Sequence, residues 1–186
     1  MTTTTSWSSS RSATASWSCP NRCWPTDAPA VRGRLRLGAA VETLGACTRL
    51  VDDAAAYVQQ RRQFGRTLAE FAPVQDLLAW AATERHQLRA LVDAAVVAGR
   101  DGAVGSDEWE RTATAAKVLA GRVGRRIAQH TLQVTGGIGF TWEHHHHRLQ
   151  RRALALDAFG GTAASLAVGL GRAVRTTGEL PDLVRL

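Results

Sequence analysis

The sequence predicts an all-α protein: an antiparallel up-and-down four-helix bundle that follows a disordered N-terminal arm. Three observations carry this expectation. Apolar residues recur at helical spacing in four successive windows between Leu37 and Leu156. The segments joining those windows are short, which makes consecutive helices antiparallel neighbours. A length of 186 residues with 45% hydrophobic content suffices for one core, so a single domain is expected.

The arm comes first. Residues 1–34 are rich in Ser and Thr and carry Trp7, Trp17 and Trp24, together with Cys19, Cys23 and three prolines, without helical or strand periodicity. Such a composition reads as disordered or as non-native, the text that a shifted reading frame or a misplaced start would give. Residues 35–178 are different in character, dominated by Ala, Leu, Val and Arg, and residues 179–186 form a tail.

Within the domain, Leu37, Val41, Leu44, Val51, Ala55 and Val58 define one stripe of a first helix that reaches about Gln63. A break at FGRTLAEFAP leads to a second run, Val74, Leu77, Leu78, Ala81, Leu88, Leu91, Val92 and Ala95, which Gly99 and Gly102 end. Ser106 is placed to cap a third helix. Asp107, Glu108 and Glu110 suit the positive end of its dipole, and Ala116, Leu119, Val123 and Ile127 give it a core face. After Gly136, Gly137 and Gly139 a fourth helix runs from about Trp142, with Leu149, Ala153 and Leu156 on one face.

The charge balance excludes some partners. A net charge of +7 comes almost entirely from arginine, Lys117 being the single lysine, but the arginines are scattered and lack interleaved aromatics. Solvated helix faces explain that spread better than a nucleic-acid footprint, so no nucleic-acid partner is expected. Three cysteines make neither a disulfide framework nor a zinc quartet, and with no export signal a cytoplasmic location is expected. No apolar run approaches the length of a membrane span, so no membrane partner is expected.

Three stretches taken together are more specific: YVQQRRQFGRTLAEFAPVQDLLA at 57–79, QVTGGIGFTWEHHHHRLQRRA at 133–153, and DAFGGTAAS at 157–165. Over roughly residues 35–175 the chain resembles the C-terminal helical domain of the flavin-dependent acyl-CoA dehydrogenases. The resemblance implies α,β-dehydrogenation of an acyl-CoA thioester, part of fatty acid β-oxidation and lipid metabolism. In that chemistry a carboxylate takes the α proton, FAD accepts the β hydrogen as hydride, and an electron-transfer flavoprotein receives the electrons. Removing an α proton demands a desolvated base and hydrogen bonds to the developing oxyanion.

The same likeness implies site residues. Arg61, Gln63 and Phe64 would approach the pyrophosphate and adenine end of a flavin that is shared with a neighbouring subunit and not retained by the isolated chain. A planar guanidinium suits phosphate there. Gln133, Gly136 and Gly137 would contact the ADP portion, and Thr162 would lie near the flavin ring. Taken alone, a surface Arg, a packed Phe and a helix cap explain the same residues. Homologous or identical subunits are the implied partners, beside acyl-CoA and the electron-transfer flavoprotein.

The four consecutive histidines fit the same likeness. His144 and His147 match the pattern, whereas His145 and His146 look like local drift; a tag is not expected. On one helix only His144 and His147, with Glu143, would share a face, too few ligands for a metal site.

The catalytic base is where the chain departs from the pattern. In many members it precedes Gly-Thr, and here that position is Gly160. In others it opens the first helix before an arginine, and here that position is Leu35, before Arg36. Glu42 and Asp157 are the nearest carboxylates in sequence. The expectation is therefore a chain inactive alone, either a truncated product without the family's N-terminal and middle domains or a non-catalytic partner subunit. The alternative is a helical oligomerisation module with no flavin role.

Overall fold

The computed structural model describes residues 29–100 and 104–178. Their order is helix α1 (Pro29–Gln60), a two-residue hairpin β1 (Arg62–Gln63) and β2 (Arg66–Thr67), α2 (Ala72–Ala98), α3 (Asp107–Thr135), α4 (His146–Ala158) and α5 (Ala163–Thr177). Short 3-10 turns at Leu68–Glu70 and Gly136–Phe140 complete the joints. The arm up to residue 28 and the tail from residue 179 lie outside the described residues. Helix α1 begins at Pro29, ahead of the boundary at residue 35, because a proline is tolerated in a first helical turn.

Arg32 and Arg36 near the start of α1 bind Glu110 near the start of α3, while Ala54 and Val58 near its end pack with Val134. Helices α1 and α3 therefore run parallel, with α2 and α4 returning antiparallel to them. The expected four-helix bundle is present, with α3 touching every other helix. Its third helix starts as expected, the Ser106 hydroxyl accepting from the Trp109 N–H at 3.1 Å.

The core is built on small residues. Ala40, Cys47, Ala81, Ala116 and Ala120 let the helices approach closely around Leu44, Leu50, Leu88, Val123 and Ile127. That close approach shifts the inward stripe of α1 by one residue at its start: Ala40 is buried, and Val41 is 44% exposed rather than in the core. Leu44, Val51 and Val58 are buried as expected, and Leu37 and Ala55 are half-buried.

The fourth helix begins at His146, later than the expected Trp142, and a turn at Phe159–Gly161 separates it from α5. Gly160 (φ 73) and Gly161 (φ 106) make that turn in a conformation that disfavours side chains. The segment His146–Thr177 is apolar and long enough by composition to raise the question of a membrane span. The break leaves helices of 13 and 15 residues, each shorter than the ~20 needed to cross a bilayer.

Candidate functional site

One cluster of the expected site residues forms at the end of the bundle where α1 and α3 finish. The chain leaves α1 through Arg61 and reverses over Phe64 (φ 52) and Gly65 (φ 82), the two left-handed residues of a tight hairpin turn. Glu70 fixes the exit by accepting from the Thr67 N–H at 2.9 Å and hydroxyl at 2.8 Å. This presents Phe64 outward at 92% exposure, edge-on to Phe71, with Arg61 and Gln63 exposed beside it. At the same end α3 stops at Gly136 (φ 61), and a Cβ added at Gly136 or Gly137 would meet nothing within 4 Å. The glycine pair is an open backbone surface, next to an exposed Gln133.

Thr162 is elsewhere. Its hydroxyl caps α5, accepting from the Ser165 N–H at 3.2 Å, and the turn that carries it packs near Gly121. From Gly121 to Gly136 along α3 is roughly 22 Å by helix rise. The structure thus separates Thr162 from the six residues of the hairpin and glycine cluster.

The two family base positions converge. Arg36, next to Leu35, donates from Nε to the Gly160 carbonyl at 3.3 Å. The same guanidinium donates to Glu110 Oε1 at 3.0 Å and to the Thr114 hydroxyl at 2.8 Å. Sequence reasoning missed Glu110, the carboxylate brought closest to this junction through Arg36. It lies 74 positions from Arg36 in the chain, and its only signal was as a first-turn acid of a helix. Arg32 also binds it, at 2.8 Å, and this bonding holds its carboxyl below the usual range against its partial burial. A carboxylate so neutralised is a poor proton acceptor.

The two carboxylates nearest the base positions in sequence are engaged as well. Glu42 pairs with Arg152 across α1 and α4, which lowers its pKa. Asp157 Oδ1 caps α5 by accepting from the Ala163 N–H at 3.0 Å and lies 3.5 Å from Lys117 Nζ. Lys117 is 1% exposed and donates to the carbonyls of Asp157 (2.9 Å) and Gly161 (3.1 Å), pinning the turn from beneath; burial lowers its pKa. Cys47 is buried and its thiol is pushed up to about 12, first by burial, so it is no nucleophile.

A groove of about 580 Å³ runs from this junction between α1 and α4. Leu35, Gly38 and Ala39 line one wall, Ala155, Leu156 and Phe159 the other, and the Glu42–Arg152 pair spans its far end.

The histidine run has a structural use that corrects the expectation of drift at His146. That residue is 2% exposed, and its Nε2 lies 3.0 Å from the Ala128 carbonyl and 3.1 Å from the Thr131 hydroxyl. His147 stacks on Trp142 with ring centroids 4.8 Å apart. Residues 143–145 form turn rather than helix, so Glu143, His144 and His147 share no helical face. Among the described residues no three His, Cys, Asp or Glu side chains converge as metal ligands.

Known proteins give these features a family. Residues 33–174 match the family model for the acyl-CoA dehydrogenase C-terminal domain. The chain is 30% identical over 128 residues to the 3-(aryl)acrylate reductase of Clostridium sporogenes, covering 69% of this chain and 33% of the relative. It is 33% identical over 127 residues to the acyl-CoA dehydrogenase FadE34 of Mycobacterium tuberculosis, covering 66% and 17%. It therefore spans about a third or less of the length of these relatives. The butyryl-CoA dehydrogenase of Megasphaera elsdenii superposes with a TM-score of 0.74 at 28% identity, over 80% of this chain and 38% of that one. With its helical bundle, its outward-facing hairpin and its glycine turn, the chain belongs to the acyl-CoA dehydrogenase family and carries that family's C-terminal domain.

Proposed function

We propose that the chain forms the helical wall of a flavin-dependent acyl-CoA oxidoreductase, contributing to the flavin and acyl surfaces without a general base of its own. One observation carries this reading: Arg36 ties the Leu35 position to Gly160 at a single junction, neither position is acidic, and Glu110, Glu42 and Asp157 are each bound to a cation.

The hairpin end fits FAD. An exposed Phe held in a left-handed conformation and a glycine pair with open space above it offer a stacking face and a close backbone approach to a nucleotide. Arg61, Gln63, Phe64, Gln133, Gly136 and Gly137 would hold the ADP portion of a flavin, and Thr162, set apart, would face the ring of another in an assembly of like subunits. FAD, when bound, supplies the hydride acceptor, and an electron-transfer flavoprotein is the fitting electron partner. This chain's own part is to position: Arg36 holds the Gly160 carbonyl, Lys117 holds the turn, and the α1–α4 groove receives the acyl group. The proton acceptor comes from another domain or from a homologous subunit.

The second reading, an oligomerisation module without flavin, draws on apolar exposure: Phe140, Trp142, Phe159 and Val168 are all more than half exposed, and α5 buries only Ala163. The two part on one experiment. The purified chain, mixed with an excess of FAD, an acyl-CoA and a dye acceptor, should perturb the flavin absorbance while the excess is present, lose the flavin on gel filtration, and reduce no dye above background. Turnover would overturn the missing base, and unperturbed flavin would favour the module.

A further inference from the structure

The α1–α4 groove carries a statement about the shape of its occupant. Gly38 lies inside α1, where glycine is destabilising relative to alanine, and a Cβ there would meet nothing within 4 Å. The bundle therefore does not need Gly38; its effect is to keep the groove floor low. Ala39 and Ala155 do the same on either side. From Leu35 to Glu42 the groove is roughly 10 Å long by helix rise. A volume of about 580 Å³ over that length gives a mean cross-section of roughly 58 Å², about three times that of one extended polymethylene chain. A straight acyl chain would leave most of it unfilled and lose contacts along one side, whereas a ring fills the width.

Resting on the reading of this groove as the acyl surface, we infer that it selects acyl groups bearing an alicyclic or aromatic ring next to the thioester, with Gly38 as the residue that admits the ring. Phe159, 54% exposed at the open end, offers a face for it, and the Glu42–Arg152 pair ends the trough.

The test compares cyclohexanecarbonyl-CoA with heptanoyl-CoA, thioesters of equal carbon count, binding to the purified chain by calorimetry. Gly38→Leu and Ala155→Leu fill the trough at exposed positions and leave the core alone. The expected result is about tenfold tighter binding of the ring ester, lost in both variants. Equal affinities that both variants weaken would overturn the ring preference and leave the acyl groove standing. No binding, or binding that neither variant alters, would overturn both.

Discussion

Arg36 Nε donates to the Gly160 carbonyl at 3.3 Å, so the residue beside one family base position grips the backbone of the other. A glutamate placed at 160 would set its Cβ 3.5 Å from Arg36 Cγ, with φ 73 costing an L-residue about 1–2 kcal/mol. Pairing with Arg36, already shared with Glu110, returns on the order of 0.5 kcal/mol. Gly160→Glu should therefore unfold at a lower urea midpoint than the native chain but above Gly160→Ala, which bears the strain without the pair. The opposite order would show that the new carboxylate does not reach Arg36.

Two helical glycines should respond in opposite directions. A Cβ at Gly121 would overlap Asp157 Oδ1 and come within 2.8 Å of the Ala163 Cβ, both held by the Lys117 turn. Gly121→Ala should cost about 1–3 kcal/mol, as overpacking against a rigid neighbour does. At Gly45, inside α1, a Cβ meets nothing, and Gly45→Ala should stabilise by about 0.5–1 kcal/mol. Denaturant titration of the two variants checks the contrast; equal effects would mean that the α4–α5 turn yields easily.

His146 makes the fold pH-sensitive. Its Nε2 faces a carbonyl, which only accepts, so Nε2 bears the hydrogen and Nδ1 is the site that would protonate. Burial lowers its pKa from the ordinary 6.5, and His144 and His147 add repulsion. A base with a depressed folded pKa binds more protons unfolded, so its stabilising contribution is complete above pH 6.5 and declines as pH falls toward the folded value. Urea midpoints measured from pH 8 to pH 5 should drop more steeply for the native chain than for His146→Gln, whose amide keeps the bond to Ala128. Parallel slopes would assign the titration to other groups.

The limits of sequence reading show in the same residues. Helices α2 and α3 were legible because their apolar spacing and the Ser106 cap are local signals, and the glycine turn was legible through its resemblance to a family, whereas α1 ends at Gln60 rather than about Gln63 and the expected break is a hairpin. What was not legible is contact across the chain. Arg36 meets Glu110 over 74 positions and Lys117 meets the Asp157 carbonyl over 40, pairings that no spacing rule encodes. His146 looked like drift because its neighbours are histidines too, yet only its ring meets the Ala128 carbonyl. Val41 failed for a related reason: a periodic stripe gives a face, and the small residue Ala40 decided which edge of that face went inside.

Phe64 offers a way to separate the flavin surface from the fold. Replacing it by glycine relieves the left-handed backbone, worth about 1 kcal/mol, and removes the edge-on contact to Phe71 at 6.3 Å between centroids, worth about 0.5–1 kcal/mol. The two nearly cancel, so Phe64→Gly should unfold within about 0.5 kcal/mol of the native chain. If its exposed ring stacks on the adenine of FAD, the variant should lose about 1–3 kcal/mol of flavin affinity, roughly 5- to 150-fold, as base–aromatic stacking does elsewhere. Arg61→Ala should weaken retention as well, through the lost phosphate pairing. Unchanged FAD affinity in both variants, in the flavin-bearing assembly, would remove the hairpin from the flavin site and leave its strained, exposed phenylalanine to contact with another subunit.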